Sequence, residues 1–349
     1  EAVWRPFSAG TFRVKQFLND HDLSHRLHVY LWLLKTYAIP AGMYASQIWS
    51  TPYLRQGAEM DCPVQKWLLT VLRNMLGVKS STPSWCVLRE CGIEPLQLNW
   101  FRATMRFYNS LTHSNSSMLR RILSADVLLK SHHHDCWSAQ LVSAMAGLPH
   151  EQSFAQDILA CRPVNISLFV TDLRVRHMWH WNHFSAYDTN SNSKQATYHT
   201  CCALPLRSAQ ATNSPFTAPK YMNLDLPLHV SRSTARFRLR VHTLRVEQAS
   251  WSPNFPDVCE ACNLAETQDE GHVLFKCSNS YICSLRRKYA SLFRNSVLHS
   301  HGNESLCLHH SHHVRPCHIH SFINQQNNKL PFFLHDLLLF YEQASSHAS

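Results

Sequence analysis

The chain has 349 residues, room for two or three packed units at about 100 to 200 residues each, and 45% hydrophobic against 16% charged residues describes a core-forming protein rather than a disordered polycation. Lys and Arg outnumber Asp and Glu by 33 to 23, a net charge of +10 that points to an anionic partner. The eight glycines are never closely spaced, which excludes G-x-G-x-x-G, a Walker phosphate loop and a G-x-S-x-G elbow.

Residues 1–130 hold 15 basic and 8 acidic residues. Leu27, Tyr30, Leu31 and Leu34 recur at helical spacing until Pro40, and Val64, Trp67, Leu68, Val71, Leu72, Met75 and Leu76 form a second stripe. Pro63 suits the first position of that second helix and Gly77 a left-handed stop. Trp100, Thr104, Phe107, Tyr108 and Leu111 predict a third helix, and residues 116–129 a fourth, so this block reads as a helical bundle. Arg102 and Arg106 stand beside Trp100, Phe101, Phe107 and Tyr108, a mixture that either stacks bases and binds phosphates or builds core. Lys66 and Arg73, one heptad apart, extend the same polar side.

Residues 131–228 read as a variable connector with one or two helices: the tracts SHHHDCWS, NSNSKQ and ATNSPFTAP are turn-rich, with LRVRHMWHWNHF between them. Residues 229–299 are expected to hold a basic helix and a small zinc-stabilised module. On a helix, Arg232, Arg236 and Arg240 share one face and Phe237, Val241 and Leu244 another, although Phe237, Leu239 and Val241 also alternate as in a strand. Positive charge at this density suits phosphate contacts, or else a solvated face. Downstream, Tyr281, Leu285, Tyr289 and Leu292 give a helical stripe backed by Arg286, Arg287 and Lys288. Residues 300–349 form a His-rich tail and a closing helix.

The strongest chemical signal is Cys259, Cys262, His272 and Cys277, a C-x2-C-x9-H-x4-C pattern. A two-residue gap lets one tight turn aim two thiolates at one ion, and the second pair closes a tetrahedron with no open position, so a single structural zinc is expected. Cys283 is a nearby thiol that could replace Cys277. With 13 cysteines scattered along a long chain, a disulfide framework is not expected, and an intracellular, reducing compartment is. The apolar runs 27–39 and 330–341 fall short of the ~20 residues that a bilayer span needs, so no membrane contact is expected. No Asp-Asp pair, no H-E-x-x-H and few carboxylates downstream of the zinc pattern leave no constellation fit for catalysis, and no small-molecule substrate is expected. Nothing at Glu1 resembles a cleaved leader, as expected of a piece of a longer reading frame.

The run KTYAIPAGMYASQIWSTPYLRQGAEMDCPVQKWLLTVLRNMLGVKSSTPSWCVLRECGIEPLQLNWFRA, followed by RFYNSLTHSNSSML, resembles the thumb and linker helices just beyond the polymerase core of LINE-type (non-LTR) retrotransposon reverse transcriptases. CEACNLAETQDEGHVLFKCSNSYICSLRRKY is similar to the CCHC zinc-binding element that closes those polyproteins. The resemblance covers roughly residues 1–130 and 229–295. It implies that Cys259, Cys262, His272 and Cys277 are zinc ligands and that Arg236 and Arg240 lie in the basic helix preceding them. The family's palm aspartates have no counterpart here, so polymerase activity belongs to a longer parent. The resemblance implies a mostly α, nucleic-acid-binding C-terminal fragment that holds RNA or DNA beside the rest of the parent reverse transcriptase, in cytoplasm and nucleus. The alternatives are a stand-alone zinc-stabilised adaptor that binds protein, and an inactive retrotransposon relic.

Overall fold

The computed structural model describes residues 5–129, 136–186, 194–203, 216–252, 254–293, 314 and 316–346. Seventeen α-helices and no strand occur among the described residues, joined by short π and 3-10 turns, so the mostly α expectation holds. The first helix, Arg5–Asp20, lies ahead of any stripe singled out in the sequence; it buries Phe7, Thr11, Val14 and Leu18, one residue per turn along one side. Leu27–Leu33 is helical as expected, but Pro40 does not stop it. The helical path runs on through a π turn at Leu34–Ala38, where Ile39 N donates to the Leu34 carbonyl, and Pro40 falls in the first turn of Ile39–Gly42, a position that tolerates proline.

Helix Pro63–Leu76 starts and stops as its residues dictate: Pro63 takes the first position and Gly77 the left-handed cap at φ 67°. A Cβ on Gly77 would come 3.0 Å from Cδ of Arg232. The guanidinium of Arg232 donates to the carbonyls of Met75 and Asn74, each at 3.2 Å, and so satisfies the orphan acceptors at this helix end. Helix Ser84–Cys91 ends in the same way at Gly92, and the third and fourth predicted helices appear as Gln97–Thr112 and Ser117–Leu129.

Residues 131–228 carry more helix than the one or two expected: Trp137–Ala144, Glu151–Leu159, Ile166–Ala186 and Lys194–Thr197. They are also part of the core. Phe154, Phe169, Trp181 and Tyr198 are buried, and one contiguous cluster of buried side chains runs from Phe7 to Tyr341. The turn-rich polar tracts that break up the segment hid this, because its buried residues, such as Leu141, Phe154, Phe169 and Trp181, lie on the helices between those tracts. Most of SHHHDCWS, NSNSKQ and ATNSPFTAP, and the His-rich tract up to His313, lie outside the described residues.

The helical reading of the arginine-rich segment is correct over Leu228–Arg238, and this helix packs along the closing helix Leu330–Ser346. Between them Ser233 Oγ and His335 Nδ1 meet at 2.9 Å, and Arg236 pairs with Glu342 at 2.8 Å. The C-terminal helix thereby joins the front of the chain to the cysteine module, whose Tyr281 stacks on Phe340 with ring centroids 5.0 Å apart. Among the described residues no helix is long and apolar enough to cross a membrane.

Candidate metal centre

Cys259 and Cys262 sit on a tight turn closed like a short ribbon. Val258 bridges Thr267, Cys259 N donates to the Glu266 carbonyl at 2.9 Å, and Gln268 N donates to the Asp257 carbonyl at 2.7 Å. The chain then enters the π turn His272–Lys276, its start fixed by Asp269, whose Oδ1 accepts from His272 N at 2.7 Å. Cys277 follows, and Asn279 caps helix Ser280–Lys288 by accepting from the backbone N–H groups of Tyr281 and Ile282. The same Asn279 side chain donates to the Ala261 carbonyl at 2.9 Å, which ties the first cysteine turn to the second half of the module.

These elements bring one ligand atom each from Cys259, Cys262, His272 and Cys277 within 4.8 Å of one another. Cys259, His272 and Cys277 are buried and Cys262 is half-buried. The cluster could hold one metal ion. Its surroundings match what a ligated imidazole requires. His272 Nδ1 faces the Glu266 carboxylate at 3.2 Å while Nε2 lies 3.4 Å from the Cys262 sulfur. A carboxylate only accepts, so the Nδ1 proton belongs to Glu266 and Nε2 is turned toward the thiols. Lys276 steadies Glu266 at 3.1 Å, and the Gln268 amide donates to Cys259 at 3.5 Å.

Electrostatics inside the cluster follow from these contacts. The Cys277 thiol donates to Cys259, and with His272 and Gln268 this outweighs burial and lowers the Cys259 thiol to about 3. Cys277 is raised for the same reason, burial adding to it. Burial lowers His272, but its contacts with Cys259 and Glu266 prevail and raise it to about 9. The centre is thus primed with a thiolate beside an imidazolium, and metal entry must displace the remaining protons. Cys283 is not one of the four; its thiol donates to the Cys277 carbonyl at 3.8 Å.

The cationic residues divide sharply. Arg286, expected on a basic surface, is fully buried: its guanidinium donates to the carbonyls of Leu274 and Cys277 at 2.9 Å and of Val273 at 3.2 Å. It therefore fastens the π turn that carries His272, together with Cys277 just beyond it, and offers nothing to a phosphate. Arg240 is also corrected. It lies past the helix end in a left-handed conformation at φ 53°, buried between Glu247 at 3.5 Å and Glu270 at 3.3 Å, so it shares no face with Arg232 and Arg236. Those two are half-buried, one capping a helix and the other paired with Glu342. Arg287 and Lys288 are exposed, Lys288 reaching Asp336 at 2.9 Å.

In the first block, Trp100, Phe101 and Tyr108 are core residues with no exposed surface, which leaves Phe107 at the surface. Arg106 is exposed and Arg102 half-buried. Burial, then the nearby cations Arg174 and Arg106, lower Arg102, with Glu94 opposing them. Arg174 is itself largely buried and paired with Glu94 at 2.9 Å, so Arg106 and Arg102 are the cations of this face that meet solvent. Lys66 is exposed, whereas Arg73 donates to the Thr82 carbonyl at 2.7 Å.

Sequence reasoning passed over Glu266, Gln268 and Asn279, although an Asn directly before a helical stripe is a cap signal. It also missed Tyr341, whose hydroxyl is a partner of the Cys277 sulfur from the far end of the chain; no local pattern could have found it. No protein-family model, curated protein or solved structure matches the chain.

Proposed function

We propose that the chain is a zinc-stabilised nucleic-acid-binding fragment of a non-LTR retrotransposon reverse transcriptase, working inside the cell beside its parent polymerase and without a catalytic core of its own. The observation that carries this reading is the Cys3His cluster with Glu266 behind its histidine: three thiols and one imidazole are a donor set that zinc takes in closed, structural sites. The net charge of +10, the exposed Arg106 and the half-buried Arg102 beside it support an anionic polymer as the partner. RNA and DNA share the phosphate chemistry on which this rests.

Binding of single-stranded RNA or DNA to the full chain is then expected to weaken steeply with salt. Arg102→Gln with Arg106→Gln should reduce the slope of log affinity against log salt by about 1.4 to 1.8, at ~0.7 to 0.9 per phosphate. A slope unchanged in the double variant would remove this face from the interface. A second reading, a protein-binding adaptor, draws on Trp32, Tyr37, Tyr44 and Ile48, all more than half exposed within 17 residues of chain. Capture of a protein partner without salt-dependent nucleic-acid binding would favour it.

A further inference from the structure

An open cavity of about 860 Å³ lies away from the metal centre, between one face of helix Ile166–Ala186 and the turn that enters helix Glu151–Leu159. The long helix contributes Val175, Arg176 and Trp179, and the turn contributes Gly147, Pro149 and His150. The indole of Trp179 is 51% exposed, a flat apolar wall in a protein whose other central tryptophans, Trp100 and Trp181, are fully buried.

His150 is held in one orientation. The carboxylate of Asp172, itself buried, accepts from the His150 backbone N–H at 2.9 Å and meets its Nδ1 at 3.0 Å. Because a carboxylate only accepts, Nδ1 carries the proton, and Nε2 of this half-exposed ring is a hydrogen-bond acceptor at the opposite end. Gln56 and Gln152 add side-chain amides, each both donor and acceptor. Arg176 is buried, its guanidinium donating to Ala144 O at 3.0 Å, Leu54 O at 3.2 Å and Gln97 Oε1 at 3.0 Å. It braces the floor. The carboxylates of Asp172 and Glu151 stand beside the cavity, the latter accepting from Gly147 N at 2.6 Å.

A phosphate would meet the Glu151 carboxylate here and no uncommitted guanidinium among the described lining residues. A flat, uncharged ring with a hydrogen-bonding edge meets complementary groups on each side. We propose that this cavity takes a single nucleobase, stacked on Trp179 and read along its polar edge by His150 Nε2 and the amides of Gln56 and Gln152. Stacking on an exposed aromatic is the sequence-tolerant way in which single strands are held. The site goes beyond the cationic reading above, because it needs neither phosphate nor metal.

The test uses the full chain and four uncharged probes, adenosine, cytidine, guanosine and uridine, followed by saturation-transfer NMR and calorimetry. At least one nucleoside should bind, with an affinity that stays constant between about 50 and 200 mM salt, since no counterion is released. Trp179→Ala should weaken it roughly 5- to 100-fold, the fold-change equivalent to losing one stacked base, while Trp179→Phe should keep most of it. His150→Ala should alter the ranking of the four bases more than their mean affinity. The proposal is overturned if no nucleoside binds, if Trp179→Ala binds as wild type does, or if ribose 5-phosphate binds as well as the nucleosides. Any of these results would leave salt-dependent oligonucleotide binding standing, and loss of that binding would leave the nucleoside result standing.

Discussion

At His272 a single side chain shows why four ligand residues at the right spacing make only part of a metal site. Its ring is useful because Glu266 takes the Nδ1 proton and turns Nε2 toward Cys262. Glu266→Gln should therefore keep one zinc per chain but weaken binding about 10- to 100-fold, the usual cost of removing a group that orients a ligand. Cys259→Ser should abolish it. Competition with a chromogenic chelator measures both, and a Glu266→Gln chain with wild-type affinity would remove Glu266 from the site. The protonation pattern adds a direction in pH. At neutral pH the metal-free cluster holds Cys259 as thiolate, because its thiol is lowered to about 3, and keeps protons on Cys277, which is raised, and on His272, raised to about 9. Zinc needs the thiolate and the neutral imidazole, so binding releases those protons, and affinity should rise about tenfold per pH unit for each one. Calorimetry in buffers of different ionisation enthalpy should count at least two protons released near pH 7.

Among the helices, what separates a structural arginine from a surface one is the neighbouring element. Leu228–Arg238 lies against both helix Pro63–Leu76 and helix Leu330–Ser346, so Arg232 and Arg236 are drawn into a cap and an ion pair. Arg238 goes furthest. It is buried against Glu90 at 2.7 Å, and the other contacts of that carboxylate are the hydroxyls of Tyr198 and Tyr221, each at 2.7 Å. One fully buried carboxylate of helix Ser84–Cys91 thus gathers residues from three later parts of the chain. Glu90→Ala would leave the Arg238 charge buried and unpaired, and chemical denaturation should report a loss of about 3 to 5 kcal/mol. A loss below about 1 kcal/mol would mean that water reaches Arg238 and that the cluster is not the dry junction described.

Over the whole molecule, the metal module is not an appendage. Leu274, Phe275, Ile282 and Leu285 belong to the cluster of buried residues that reaches back to Phe7, and Phe275 and Phe293 pack on Phe322 at ring distances of 5.2 and 5.0 Å. Chelation should then loosen more than the ligand turns. Structural zinc sites contribute on the order of 10 to 16 kcal/mol, and Tyr281, stacked on Phe340 at 5.0 Å, links the cysteine module to the closing helix. Hydrogen exchange after chelation should rise over 257–293 and over 330–346, while helix Pro63–Leu76 stays protected. Uniform protection of the C-terminal helix with and without metal would uncouple the two.

Periodicity and caps were enough to place helices Pro63–Leu76, Gln97–Thr112, Ser117–Leu129 and Leu330–Ser346, and spacing alone brought Cys259, Cys262, His272 and Cys277 together. These are local properties: a stripe, a Pro at the start, a Gly at the stop and two-residue gaps act within a few turns of backbone. The arginines were not legible in this way. Arg106 and Arg287 stay in solvent while Arg240 and Arg286 are buried, yet all four sit in similar basic, apolar-flanked stretches. Their difference arises from partners such as the Cys277 carbonyl, Glu270 and Thr197, which lie 9, 30 and 43 residues away. The connector's place in the core and the meeting of His150 with Asp172 are likewise set by packing. The chain by itself determined its helices and its candidate metal ligands; the tertiary structure decided which charges meet water, because desolvating a guanidinium is tolerable only where distant carbonyls and carboxylates converge on it.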